Sequence, residues 1–275
     1  MRKKLVMMLA LLGLSFSNSN TYAADTVFPD VNPVTHSWAI EPLTFMNQKG
    51  VIRGDEHGRF NPDAPVTKAE FVVMVYKLFD QYRPNISNGS TNRIVDAPQN
   101  YWGHKYISEM VTSAWSGIYF TDKGVCFDPE RKLTRIGMAK LLSNIYTPKE
   151  PTDQEIYDAV SKMKDIPVKV FTNPDEIESY QNDGRYGYLE GIDTTNTLYP
   201  LLFVKDSEGM HTNFDDYTFV TGSTLTSLQL DGLMTTYNGE FEAYDPLTRA
   251  EAVTILYRLY KHLENNGEIK AYSSK

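Results

Sequence analysis

Three short stretches of the sequence place a threonine directly before a basic residue, at Thr67-Lys68, Thr134-Arg135 and Thr248-Arg249. The first and third stretches continue with alanine and glutamate, at Glu70 and Glu251. This spacing is that of a capping box, in which the threonine oxygen accepts from the third helical amide and the glutamate reaches back to the threonine amide. The threonines are therefore predicted to begin helices.

Capping does not explain the basic residue, because a cation in the first helical turn opposes the helix dipole. Two roles remain open for Lys68, Arg135 and Arg249 on the residues alone. One role is an ion pair with a nearby carboxylate. The other is contact with an anionic ligand, since helix N-termini attract anions and a guanidinium can hold a carboxylate with two hydrogen bonds.

The three stretches close three longer segments of one layout. The segments run over 28–79 and 94–146, and a split third segment opens near Met163 and closes at Leu263. In each, a glycine lies at nearly the same distance before the threonine, followed by a second glycine, an aromatic residue and a proline. These positions are Gly50, Gly58, Phe60 and Pro62; Gly117, Gly124, Phe127 and Pro129; and Gly232, Gly239, Phe241 and Pro246. The sequence thus predicts three internal repeats.

The helix after each threonine has apolar residues in the same phase in all three repeats. They are Phe71, Met74, Val75 and Leu78; Met138, Leu141, Leu142 and Ile145; and Ala252, Ile255, Leu256 and Leu259. Three equivalent stripes can bury one another, which predicts a pseudo-threefold, mainly α fold around a central three-helix bundle. A shorter helix is expected in the first half of each of the first two repeats, at about 38–50 and 102–117.

The third repeat is interrupted between about residues 166 and 220. This insertion is rich in Tyr, Phe, Thr, Asp and Gly, and "LYPLLFVKD" and "DDYTFVTG" are expected to form a β-hairpin around Ser207-Glu208-Gly209. The sequence leaves open whether the insertion packs on itself, binds a partner or extends a ligand groove. Residues 83–92 and 147–155 are expected to be linkers, and the polar tail 264–275 is expected to fray.

The first 23 residues have the basic start, apolar run and small-residue end of a secretory signal peptide, with cleavage expected after Ala23. No later segment resembles a membrane span, so a soluble, exported protein is expected. The net charge of −8 argues against nucleic acid as a partner. The single cysteine, Cys126, is expected to be a small buried side chain.

The combination "FPDV…W…G…G…GRFNPDAPVTKAEF" and "DPLTRAEAV" resembles S-layer homology repeats. The resemblance implies repeats at 27–82, 93–147 and 163–263, arranged as a three-pronged pseudo-trimer. It further implies non-covalent anchoring to a bacterial cell wall or S-layer, through secondary cell wall polysaccharide linked to peptidoglycan. A pyruvate ketal on an N-acetylmannosamine unit is the anionic group that such repeats are expected to hold.

Carried over by position, the resemblance implies ten ligand-binding residues: the bases Arg249, Lys68 and Arg135; the threonines Thr248, Thr67 and Thr134; the aspartates Asp30 and Asp96; and the tryptophans Trp38 and Trp102. For the two tryptophans, packing beneath the first helix is the favoured role. The third repeat keeps the full box, so its groove is ranked first.

The sequence departs from the family pattern in each repeat. The second repeat replaces alanine and glutamate with Ile136-Gly137, the first has a lysine as its base, and the third has no tryptophan in its first half. An alternative function is therefore a protein-interaction or S-layer assembly module that does not bind glycan, with other surface-layer proteins as partners. No catalytic residue, metal site or cofactor site is predicted, and an enzyme is not expected.

Overall fold

The computed structural model describes residues 26–85, 94–112, 115, 117–146, 150–181, 195–212 and 216–275. The predicted signal peptide, most of the first linker and residues 182–194 of the insertion lie outside these ranges. The α-helices are α1 Ile40–Gln48, α2 Lys68–Leu78, α3 His104–Met110, α4 Arg135–Leu142, α5 Asp153–Val160, α6 Pro174–Tyr180, α7 Asp216–Leu230 and α8 Arg249–Asn265. The strands are β1 Tyr119–Thr121, β2 Gly124–Cys126, β3 Val168–Phe171, β4 Leu201–Lys205 and β5 Met210–Thr212. The described chain is mainly α, as predicted.

The predicted threonine caps begin α2, α4 and α8. In α2 the Thr67 side chain accepts from the Glu70 amide at 3.2 Å, and the Glu70 carboxylate accepts from the Thr67 amide at 2.9 Å. The Thr248 and Glu251 pair repeats this geometry at 3.2 and 2.8 Å. Each of these two helix starts is therefore fixed by its own sequence.

The aromatic turn before each of these helices has the same backbone conformation in all three repeats. The residue after the aromatic has a positive φ that is uncommon outside glycine, 58° at Asn61, 55° at Asp128 and 58° at Glu242. Three occurrences at equivalent positions support the predicted repeat.

Helices from different repeats pack in cyclic order. Helix α1 contacts α8, α3 contacts α2, and α7 contacts α4, so the first helix of each predicted repeat packs on the second helix of the preceding one. All twelve stripe residues named above are buried within one hydrophobic cluster.

A ring of three backbone hydrogen bonds joins the repeats where the threonine helices begin. The Val66 amide donates to the Leu247 carbonyl, Leu247 donates to Leu133, and Leu133 donates to Val66, each at 2.9 Å. Each bond joins two different repeats. The segments before α2, α4 and α8 therefore meet at one point.

Two short sheets accompany the helices. Strands β1 and β2 form an antiparallel hairpin in the second repeat, in which Cys126 is buried and forms no disulfide, as predicted. In the insertion, β3 pairs parallel with β4, and β4 pairs antiparallel with β5.

The predicted hairpin is correct in its first strand and its turn, but its second strand is wrong. The partner of β4 is Met210–Thr212, whereas "DDYTFVTG" contributes to α7. Its threonines and valine have strand propensity, but tertiary packing on α5 and α4 outweighs that preference. The Thr218 hydroxyl also accepts from the Leu202 amide at 3.1 Å, which fixes α7 beside the sheet. Helix α7 ends before Gly232, which is where the first helix of the predicted third repeat would end.

Two other expectations need correction. Helix α3 ends at Met110 instead of near Gly117, and the Asn85 side chain donates to the Ser108 and Val111 carbonyls at this end. The tail does not fray along its length, because its last residues bind the end of α2. There, the Ser274 amide and hydroxyl donate to Asp80 at 2.9 and 2.6 Å.

Candidate functional site

Arg249 of the third repeat reaches into the aromatic turn of the first. Its Nε donates to the Phe60 carbonyl at 3.0 Å, and its guanidinium lies 4.7 Å from the Phe60 ring centroid. Its Nη1 donates to Glu70 Oε1 in an ion pair. The Arg249 side chain is 19% exposed, and its Nη2 donates to no described residue. Both predicted roles of the base thus remain available, since it pairs with a carboxylate and still presents a donor.

Arg135 of the second repeat makes the equivalent contact with the third. Its Nε donates to the Phe241 carbonyl at 2.7 Å, its Nη2 donates to the Thr235 carbonyl at 2.8 Å, and it lies 5.2 Å from the Phe241 ring. It forms no ion pair with a carboxylate among the described residues. Its positive charge is therefore less compensated than that of Arg249.

Lys68 of the first repeat makes the corresponding contact with the second repeat. Its Nζ donates to the Gly117 carbonyl at 2.6 Å and lies 4.5 Å from the Phe127 ring. Unlike the two arginines, Lys68 is fully buried, with 0% of the residue exposed. A ligand could contact its ammonium group only after the covering residues moved.

The first amides of these helices are used by the protein itself. In α8 the Arg249 amide donates to the Ala64 carbonyl at 2.9 Å and the Ala250 amide to Pro62 at 3.0 Å. Equivalent bonds join α2 and α4 to the next repeat. The expectation that free helix amides attract an anion is therefore wrong here, and an anion would have to bind side chains.

A cleft of about 390 Å³ lies at the junction of the first and third repeats. Its lining comprises Arg53, Gly54, Asp55, Arg59, Phe60, Asn61, Ala64, Pro65, Glu70 and Arg249. Of its three arginines, Arg249 pairs with Glu70, and Arg59 pairs with Asp55 through two contacts of 3.1 Å. The exposed Arg53 forms no hydrogen bond or ion pair with a described residue. Sequence reasoning missed Arg53, which no motif marks.

The electrostatics of the cleft follow from these pairs. Hydrogen bonds from the Arg59 amide, then from the His57 amide and the Arg59 guanidinium, hold the pKa of Asp55 below its ordinary value. Burial and the neighbouring Arg53 cation lower the pKa of Lys77 on α2. Asp55 therefore stays ionised beside Arg59, and Arg53 makes no ion pair with a described residue.

The predicted aspartates hold the aromatic turns. Asp30 accepts from the Phe60 and Asn61 amides at 2.8 and 2.6 Å, and Asp96 accepts from Phe127 and Asp128 at 2.9 and 2.6 Å. Asp165 does the same in the third repeat, from Phe241 and Ala243 at 2.7 and 2.8 Å. Asp165 is not among the predicted site residues, although "MKDI" parallels "FPDV". A ligand-binding role for Asp30 and Asp96 stays a prediction.

Trp38 and Trp102 lie at the surface, with 48% and 55% of each residue exposed. The Trp38 indole donates to the Thr35 carbonyl at 3.1 Å, and Trp102 lies beside Tyr101 with ring centroids 5.5 Å apart. The favoured interpretation, packing beneath the first helix, is therefore wrong for these rings. About half of each residue is open to solvent.

Thr67, Thr134 and Thr248 serve as helix caps, and each hydroxyl already accepts from a helix amide. The described residues contain no cluster of His, Cys, Asp or Glu that could hold a metal. Within the same ranges, every helix is too short or too polar to cross a bilayer.

Comparison with known proteins supports the resemblance. The model of the S-layer homology domain matches residues 27–72. An S-layer protein of Bacillus licheniformis is 29% identical over 144 residues, which cover 52% of this chain and 15% of the relative. The S-layer protein sap of Bacillus anthracis is 28% identical over 124 residues, covering 45% and 14%. A cellulosome-anchoring protein of Acetivibrio thermocellus is 24% identical over 141 residues, covering 51% and 30%.

The chain thus spans at most 30% of the length of these three relatives. The matches confirm the resemblance to S-layer homology proteins. They indicate a location at the cell wall or S-layer of a bacterium. Their structural and anchoring character agrees with the prediction that this chain is not an enzyme.

Proposed function

We propose that this chain, which carries an S-layer homology domain at residues 27–72, anchors non-covalently to the bacterial cell wall by binding secondary cell wall polysaccharide. In this proposal the repeats 27–82, 93–147 and 163–263 form a pseudo-threefold unit around a central bundle of α2, α4 and α8. The cyclic backbone ring at Val66, Leu133 and Leu247 and the shared burial of the three stripes support it.

The observation that carries the proposal is the arginine-lined cleft at the junction of the first and third repeats. Arg53 and Arg249 both line it, and each has guanidinium donors without a described partner. A ligand carboxylate, such as that of a pyruvate ketal, would accept these donors. Each hydrogen bond to a charged group contributes about 1.5–3 kcal/mol. The proposed anionic ligand therefore fits the chemistry of the cleft.

Glu70 orients Arg249 in this proposal. Its carboxylate accepts from the Thr67 amide through one oxygen and from Arg249 through the other, so the guanidinium is held in one place before a ligand arrives. Such preorganisation reduces the side-chain entropy lost on binding. The ion pair in the cleft is thus compatible with a ligand contact by the same arginine.

Local geometry has to provide the attraction, because the chain has a net charge of −8. The charges that line the cleft are three arginines, Asp55 and Glu70, which leave one net positive charge. At physiological ionic strength this field extends about 8 Å. Capture of an acidic sugar would therefore depend on contact with the cleft.

The other two grooves are ranked below this one. Arg135 keeps its charge free of a carboxylate partner among the described residues, so its groove is the second candidate. Lys68 is fully buried, which makes its groove the weakest candidate. Trp38 and Trp102, half exposed, are proposed to stack on sugar rings at the edges of the unit.

Binding to purified cell walls before and after chemical removal of the polysaccharide tests this function. We expect the chain to sediment with intact walls and to remain in solution with stripped walls. Arg53→Ala should weaken wall binding about tenfold or more, which corresponds to about 1.4 kcal/mol. It should not lower stability, because Arg53 bonds to no described residue and its charge repels that of Lys77.

Arg258→Ala is the matched control, because it removes one exposed arginine from α8 away from the cleft. Its wall binding should equal that of the unchanged chain. Equal binding by the Arg53→Ala and Arg258→Ala variants would remove the cleft from the proposal. Binding that survives polysaccharide removal would instead support the protein-interaction or S-layer assembly module.

A further inference from the structure

We infer that residues 195–197 of the insertion are a built-in occupant of the groove that contains Lys68, so that this groove does not take polysaccharide. The inference rests on the proposed function, since it concerns one of the three proposed grooves. It is carried by the contacts of Thr195, Asn196 and Thr197 with the second repeat.

Asn196 takes the place of the missing capping-box glutamate. Its Oδ1 accepts from the Thr134 hydroxyl at 3.1 Å and the Thr134 amide at 3.5 Å. In the first repeat, Glu70 Oε2 accepts from the hydroxyl and amide of Thr67 in the same manner, at 3.3 and 2.9 Å. The Asn196 amide also donates to the Lys132 carbonyl at 2.9 Å. A residue 62 positions away thus completes the cap of α4.

Gly137, at the position of Glu70, is matched to this occupant. A Cβ built on Gly137 would collide with Asn196 Oδ1. A glutamate at residue 137 and Asn196 therefore exclude one another. Because the second repeat has Gly137 in place of the glutamate of the capping box, it leaves space that Asn196 of the insertion fills.

The two neighbours of Asn196 fix the segment on either side. Thr195 is buried, and a Cβ on Gly117 would lie 2.5 Å from its hydroxyl oxygen. Lys140 of α4 donates its Nζ to the Thr197 carbonyl. Three consecutive residues thus contact the second repeat.

Lys68 is buried next to this arrangement. Gly117 accepts from Lys68 Nζ through its carbonyl, and its α-carbon faces Thr195. In the cleft between the first and third repeats, the equivalent region is open and is lined by Arg53 and Arg249. By the common spacing to the helix threonine, Phe120 stands in the second repeat where Arg53 stands in the first. The Lys68 groove is therefore closed, and it lacks a cation equivalent to Arg53 that an acidic sugar would neutralise.

The inference is tested by exchanging the occupant for the glutamate. Asn196→Gly alone and Gly137→Glu alone should each lower the melting temperature, the first by loss of the cap and the second by collision. The double variant Gly137→Glu with Asn196→Gly should recover much of this loss, because the introduced glutamate can then cap Thr134. As a control, Gly137→Glu combined with Asn266→Gly, at the exposed end of α8, should give additive losses. Additive losses in the Asn196 double variant would overturn the inference.

The second readout is the number of binding sites in a titration with purified wall polysaccharide fragments. The unchanged chain should bind at no more than two sites, and the double variant should gain none, because Phe120 and Thr195 are unchanged in it. A third site in the unchanged chain would contradict the inference. If the unchanged chain bound no fragment, the proposed function would fail, while the melting temperatures would still decide whether Asn196 is the occupant.

Discussion

The guanidinium of Arg249 lies 4.7 Å from the ring centroid of Phe60, a residue 189 positions earlier in the chain. This contact joins the last repeat to the first. The equivalent contacts, Lys68 with Phe127 and Arg135 with Phe241, join the first repeat to the second and the second to the third. The base that follows each threonine therefore has a structural role, which exists whether or not a ligand binds.

Arg249→Ala is expected to lower the free energy of unfolding by about 1.5–3 kcal/mol, because it removes charged hydrogen bonds to Phe60 and Glu70 in a largely buried setting. Chemical denaturation monitored by circular dichroism measures this change. Arg258→Ala should stay within about 0.5 kcal/mol of the unchanged chain, because it removes only one long contact, of 3.4 Å, to the Leu233 carbonyl. Equal stability of the two variants would show that the Arg249 contacts do not hold the repeats together.

Asp165→Asn is expected to lower stability by about 1–3 kcal/mol, because one of the two oxygens that accept from the Phe241 and Ala243 amides becomes an NH2 group, which cannot accept. Asp30→Asn and Asp96→Asn should cost similar amounts, since their carboxylates make equivalent contacts. Asp158→Asn, on the exposed face of α5, is the control. A loss at Asp30 and Asp96 without one at Asp165 would contradict the equivalence of the third repeat.

Local sequence rules predicted the parts of this fold that depend on neighbouring residues. The caps at Thr67 and Thr248 and the burial of the apolar stripes follow from spacing within one helix. Residue periodicity also placed the start of α4 at Thr134. These features depend on the backbone within a few residues, so a single sequence contains the necessary information.

Features formed by residues distant in the chain could not be predicted in the same way. Asn196 completes the cap of Thr134 from 62 residues away, and Arg53 has no motif that marks it as part of a cleft. The strand propensity of "DDYTFVTG" led to a wrong strand, because burial of α7 against α5 and α4 outweighs propensity. The tail also depends on a distant partner, Asp80.

Acidification is expected to release the C-terminal tail. Partial burial raises the pKa of Asp80, but hydrogen bonds from the Ser274 hydroxyl and amide lower it by more. The net pKa therefore lies below the ordinary value of 3.8. A carboxyl whose pKa is lowered by folding stabilises the docked tail above pH 3.8, and this stabilisation is lost as the pH falls through the lower, folded value. Cleavage of the tail by an acid-active protease across this range measures the release.

Asp80→Asn should expose the tail to cleavage by a neutral protease at neutral pH and should remove the acid-induced change near this residue. Asp158→Asn should leave the pH profile unchanged. A tail that remains protected in Asp80→Asn at neutral pH would mean that Tyr272, which stacks on Tyr82, holds the tail without the aspartate.

The central claim, that the cleft containing Arg53 and Arg249 holds the acidic group of the wall polysaccharide, is tested most directly by a binding cycle. Isothermal titration would compare polysaccharide fragments with and without their carboxylate substituent, against the unchanged chain and Arg53→Ala. We predict that removing the carboxylate weakens binding to the unchanged chain at least tenfold but changes binding to Arg53→Ala much less, since the partner is already absent. An equal loss for both proteins would show that Arg53 does not contact the carboxylate, and would contradict the account.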